Sequence, residues 1–166
     1  MTPDPKRAAG LRQSLGLGRP GAGWWHCLRD PHFVLAALAA VPVWIALGQL
    51  VGERMQVNFT ATALLALVVL QPAVEEFAFR GALQGSLLER GWMRRIGPVS
   101  IANLGTTVAF VALHFMAQPA AWAIAVAAPS LVFGHLRERF GSVLPPIALH
   151  SIYNAGFAAT AWWVHR

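Results

Sequence analysis

Charge is scarce in this 166-residue chain: only 12% of its residues are Asp, Glu, Lys or Arg, while 56% are hydrophobic. Soluble domains carry about 25% charged residues. One domain of this length cannot hide so much apolar surface in its own core, so lipid is the expected solvent. Cysteine is nearly absent. Cys27 stands alone, which excludes an intramolecular disulfide and argues against a thiolate zinc centre. Lysine is limited to Lys6, so the net charge of +6 rests on arginine. A Gly-rich phosphate loop and an HExxH zinc helix are both missing. Ser151 lacks the G-x-S-x-G setting of a serine nucleophile. The N-terminus has no apolar stretch of the signal-peptide kind. Lys6, Arg7, Arg12, Arg19 and Arg29 are instead spread among Pro and Gly. Residues 1–31 therefore read as a basic cytoplasmic or interfacial tail, ahead of a membrane domain over 32–166. The basic groups sit in short segments between apolar runs. That pattern favours anionic lipid headgroups as partners over nucleic acid.

What is present is a set of long uncharged runs. Between Asp30 and Glu53 lie 22 residues without Asp, Glu, Lys or Arg; between Arg54 and Glu75 lie 20; between Arg95 and Arg137 lie 41, broken near Gln118-Pro119; between Arg139 and Arg166 lie 26. A spanning helix needs about 20 apolar residues. The reading is an all-α, polytopic transmembrane bundle of about five spans, over 33–51, 59–79, 98–117, 119–135 and 143–163. Segment 80–97 has helical apolar spacing in Leu83, Leu87, Leu88 and Trp92. It either prolongs the second span or lies along the interface. Alternating the spans puts eleven Lys and Arg on one side and two, Arg54 and Arg166, on the other. By the positive-inside rule the N-terminus is expected in the cytoplasm and the C-terminus outside. Trp24, Trp25, Trp92, Trp162 and Trp163 fall near span ends, as interfacial tryptophans do.

Ionisable groups in apolar surroundings carry the functional signal. Glu75 and Glu76 close a 20-residue uncharged run. On a helix Glu76 and Arg80 are at i and i+4 and can pair. Glu75 points about 100° away and is left without that partner. Such a carboxylate can act as a base, or it can simply end the span at the interface. His114 is the only ionisable group of the third span. It suits catalysis or an ordinary helix–helix hydrogen bond. His150 and Asn154 share one face of the fifth span. Both can donate to an oxyanion, or bond to a neighbouring helix. Ser142, ahead of Pro145-Pro146, is a candidate cap for that helix. Asn103, Thr106 and Thr107 read as packing residues that bond locally, and His135 as interfacial.

In order, E-E-x-x-x-R, F-x-x-x-H and H-x-x-x-N fall on separate expected helices as Glu75-Glu76…Arg80, Phe110…His114 and His150…Asn154. This arrangement resembles the CPBP intramembrane proteases, a family that includes the CAAX prenyl endopeptidases and bacteriocin-processing proteins. Pro72 and Gly81 also fit its pattern, and the resemblance covers about residues 70–155. It implies an intramembrane endopeptidase of glutamic type. Glu75 would activate water, and His114 would position or polarise it. His150 and Asn154 would stabilise the oxyanion, while Glu76 and Arg80 would pair and orient their helix. No cofactor is expected; zinc held by Glu75, His114 and His150 is the alternative. The implied substrate is a membrane protein or a lipidated or sorting-signal peptide. The small size resembles members thought to process C-terminal sorting signals. The oligomeric state is left open. Scant Lys with abundant Arg and Ala fits a bacterial chain, and so an inner membrane. Two other classes compete: a non-catalytic immunity protein or chaperone with the same fold, and a small transporter. Against the transporter, no acidic residue lies inside the other expected spans.

The spans as drawn carry a geometric demand. They put Glu75 near the cytoplasmic end of its helix. His114 lies about 24 Å along the next one, near the opposite face. A shared site requires the second helix to run on past Arg80.

Overall fold

The computed structural model describes residue 10, residues 12–17 and residues 24–166. Lys6, Arg7 and Arg19 of the basic tail, and the side chains of Trp24 and Trp25, lie outside the described residues. The structure is 78% helical, with one two-residue-per-strand hairpin.

A short 3-10 turn, Trp24–Arg29, leads into α1, Pro31–Val51. Asp30 starts α1: its Oδ1 accepts the backbone N–H of His32 at 3.0 Å and of Phe33 at 3.4 Å. Pro31 follows at the first helical position, where a missing N–H does no harm. Only Phe33 and Ala40 of α1 are buried, so this apolar helix presents most of its surface outward, as a lipid-facing helix does.

The second helix, α2, runs from Ala61 to Glu89 without a break. Thr60 caps it through Oγ1 on the Ala63 N–H. Two stretches, Ala66–Leu70 and Phe77–Leu83, are wound as π-helix. A hairpin of β1 (Arg95–Ile96) and β2 (Val99–Ser100) turns the chain at Gly97, whose φ of 61° suits glycine. Then come α3, Ile101–His114; α4, Ala120–Ala125; α5, Ala127–Phe140; and α6, Leu144–Val164. The Ser142 hydroxyl accepts the Leu144 N–H at 3.2 Å at the start of α6.

Among the described residues, three helical stretches are long and apolar enough to cross a membrane: Pro31–Arg54, Ala61–Glu89 and Ala120–Phe140. The 21-residue α6 has the length but not the hydropathy, because it carries His150, Ser151, Tyr153 and Asn154. The 14 residues of α3 reach only about 21 Å, less than the expected span over 98–117.

The expected 80–97 segment resolves in favour of prolongation as far as Glu89, with the hairpin after it. This meets the geometric demand, because Glu75 becomes the central residue of α2. The fourth span was drawn too short. Arg137 and Arg139 fall between the expected spans 119–135 and 143–163, but they lie in the last turn of α5. Arg137 is buried there because its Nε donates to the Arg80 carbonyl at 3.1 Å and its Nη2 to the Ser14 carbonyl at 2.7 Å. Arg80 is wholly buried too, and with neither of these two arginines counted as an exposed charge the tally becomes nine against two.

The centre of the bundle is α6, packed on α1, α2 and α5. Small residues let α1 and α6 approach: a Cβ on Gly156 would run into the Trp44 indole. The apolar core joins Cys27, Phe33, Phe133, Leu136 and Leu149.

Candidate active site

Proline organises the middle of α2. The Gln71 N–H reaches back to the Ala66 carbonyl, a π-type bond. The next donor in that register would come from residue 72, but Pro72 has no N–H. The Leu67 carbonyl is therefore orphaned. Asn154 on α6 fills the gap, donating Nδ2–H to it at 2.9 Å. One of the two Asn154 amide protons is thus committed to holding the wound segment against α6. π-Turns of this kind concentrate at functional sites, and this one lies one turn before the Glu pair.

Glu76 is completely buried and is the hub of the site. Its Oε2 lies 3.2 Å from Arg80 Nε, and its Oε1 accepts from Arg80 Nη1 at 3.3 Å. The same Oε1 lies 2.9 Å from His150 Nδ1. A carboxylate only accepts, so Nδ1–H donates to it here, which fixes the ring orientation and leaves Nε2 facing away from Glu76. The His150 ring also stacks on Phe133, with centroids 4.8 Å apart. His150 Nε2 then lies 3.9 Å from Glu75 Oε2. Glu75 is the open member of the pair, with 20% of its side chain exposed, and its Oε1 accepts from Gln71 Nε2 at 3.0 Å.

The buried guanidinium of Arg80 meets partners from several directions, although its Nε and the facing Glu76 Oε2 pair by charge without a hydrogen bond. Nη2 donates to the Ser130 hydroxyl at 2.7 Å and to the Ser130 carbonyl at 3.1 Å. The faces of Phe110 and Phe133 lie 4.7 and 5.4 Å from its central carbon. The aromatic contacts lower the desolvation penalty that a buried cation carries.

Not every expected residue joins. Glu75, Glu76, Arg80 and His150 are brought together. Asn154 sits four residues along the same helix, with its amide turned to Leu67. His114 stands apart at the last residue of α3. Its Nδ1–H donates to the Phe110 carbonyl at 2.8 Å, and its ring packs on Phe110. Among the described contacts none joins His114 to Glu75 or His150. Among the described residues no three His, Cys, Asp or Glu side chains gather into a group that could hold a metal ion.

The partners of Arg80 that went unread are Ser130 and Phe133 on α5. A serine after Pro129 in an apolar run was the available signal. Asn103 and Thr107 are also more than local packing. Asn103 Nδ2 donates across to the Leu131 carbonyl at 2.9 Å, and Thr107 Oγ1 accepts from Ser130 at 2.9 Å. His135 bonds to His32, with Nδ1 of His32 and Nε2 of His135 3.0 Å apart.

Fold and site together define a helical membrane protein with a Glu–Glu–Arg–His cluster at the centre of its bundle. The chain belongs to the type II CAAX prenyl endopeptidase Rce1-like family, whose profile matches residues 57–156. That stretch holds every residue of the cluster. Membership implies a CAAX-type protease acting within the membrane. No curated protein and no solved structure matches the chain.

Proposed function

We propose that this chain is a glutamate-dependent intramembrane endopeptidase in which Glu75 takes the proton of the attacking water. The observation that carries the reading is an open carboxylate beside a fixed imidazole, Glu75 Oε2 and His150 Nε2 at 3.9 Å. A gap of that size lets one water lie to its side, about 2.8 Å from both atoms. The water oxygen forms the new bond to the scissile carbonyl carbon as its proton passes to Glu75. His150 Nε2–H and the second amide proton of Asn154 donate to the oxyanion. As the C–N bond breaks, Glu75 returns the proton to the leaving amine. With His150 protonated, two carboxylates face two cations, and the buried group carries no net charge. His114 helps to position the peptide or the water from α3.

The proposed substrate is the end of a membrane-associated protein, either prenylated or a C-terminal sorting signal with an apolar helix and a basic tail. The proposed placement is a bacterial inner membrane, N-terminus inside, with the Arg90, Arg94 and Arg95 end at anionic headgroups.

The test uses purified protein in liposomes, given a quenched farnesylated CAAX peptide and a quenched sorting-signal peptide. The native chain cleaves at least one. Glu75→Gln lowers the rate by about 10²–10⁴-fold while the unfolding temperature holds. Wild-type cleavage by Glu75→Gln removes Glu75 as the base. Cleavage of neither peptide favours the immunity or chaperone reading.

A further inference from the structure

The hydrogen bonds leaving Arg80 do not stop at Ser130. A guanidinium has no acceptor, so the 2.7 Å bond between Arg80 Nη2 and Ser130 Oγ runs in one direction only. Ser130 accepts there and must send its own proton elsewhere. It goes to Thr107 Oγ1 at 2.9 Å, and Thr107 in turn faces Asn103 Oδ1 at 3.4 Å. Asn103 is anchored through Nδ2 on the Leu131 carbonyl and through its backbone N–H on Ser100 Oγ. Ser130, Thr107 and Asn103 are all buried. The chain is polarised from end to end, and in low dielectric such chains strengthen one another.

At its other end the chain reaches the reacting groups. The pose of Arg80 sets Glu76, because both carboxylate oxygens of Glu76 face the guanidinium. Glu76 Oε1 in turn holds His150 Nδ1. We propose that Ser130 is a positioning residue for the hydrolytic site: it sets the guanidinium of Arg80 and, through Glu76, the aim of the His150 ring. This rests on the reading of Glu75 and His150 given above.

Ser130→Ala removes one oxygen and little volume. The Ser130 carbonyl still takes one Arg80 N–H, so the helix contact survives while the guanidinium is free to pivot. A residue that only ties α2, α3 and α5 together would show itself in the unfolding temperature. A positioning residue shows itself in His150.

The experiment compares Ser130→Ala and Ser130→Thr with the native chain in liposomes, with Glu75→Gln alongside, on the farnesylated CAAX and sorting-signal peptides. It also records the 15N resonances of the His150 imidazole across pH. The expected result for Ser130→Ala is a fall in kcat of about 10–100-fold, as for a misplaced catalytic group, with KM within about twofold. The pH profile of kcat and the His150 titration move together, and Ser130→Thr, which keeps the hydroxyl, restores both. An unshifted pH profile and an unshifted His150 titration in Ser130→Ala, whatever its unfolding temperature, overturn the proposal. If Glu75→Gln remains active, or neither peptide is cleaved, the hydrolytic reading fails by itself. The His150 titration then decides the role of Ser130 alone.

Discussion

Replacing Glu76 by Gln should unfold this protein more readily than any equally conservative change at Glu75. Glu76 and Arg80 are each 0% exposed and meet at 3.2 Å. The amide keeps the shape of the carboxylate but removes its charge. Arg80 is left as a buried cation with Ser130 and two aromatic faces as its remaining partners. Removing one member of a buried pair typically costs about 3–5 kcal/mol. That is a large share of the roughly 5–15 kcal/mol that holds a fold together. For a chain of this size, about 2–4 °C per kcal/mol turns the loss into a fall of roughly 6–20 °C in unfolding temperature. Glu75→Gln has no such penalty, because Glu75 is partly open and its bond to Gln71 can be remade by an amide. Thermal unfolding of both variants in the same detergent is the assay. A double variant, Glu76→Leu with Arg80→Leu, removes both charges and should recover much of the loss. Equal unfolding temperatures for Glu76→Gln and Glu75→Gln would refute the assignment of Glu76 as the buried hub.

Two further predictions concern the periphery of the site. Asp30 holds Arg139 Nη2 at 2.7 Å, and that bond keeps its carboxyl below the usual carboxylate range. A depressed folded value stabilises above the unfolded value of about 3.9 and is lost as pH falls through the folded one. The stability gap between native chain and Asp30→Asn should therefore be full at neutral pH and close in acid below about pH 4; an unfolding series across pH reads it, and a gap that persists in strong acid contradicts it. Gly156→Ala places a methyl against the Trp44 indole, where α1 crosses α6. Overpacking of this kind costs about 1–3 kcal/mol, so this variant should unfold earlier while the chemistry of Glu75 is unaltered in the fraction that stays folded.

Much of the molecule is legible in its residues. The long uncharged runs mark the apolar helices, because lipid demands them and little else in a short chain does. The pairing of Glu76 with Arg80 follows from one turn of helix. The order of the three motifs pointed to the family whose profile the chain matches. These are local relations, and spacing along the chain is enough to state them.

The remainder depended on partners far away in sequence. Continuation of α2 through Arg80 needs a place to bury a guanidinium, and Ser130, 50 residues on, supplies it. The orphaned carbonyl of Leu67 could be inferred from Pro72, but not that Asn154, 87 residues later, would fill it. His114 and His150 both read as candidate catalytic histidines, yet one bonds to its own helix and the other to Glu76. Spacing says which side chains share a face. Only the packing of helices decides what that face meets, because a buried polar group takes whichever partner the bundle places within reach.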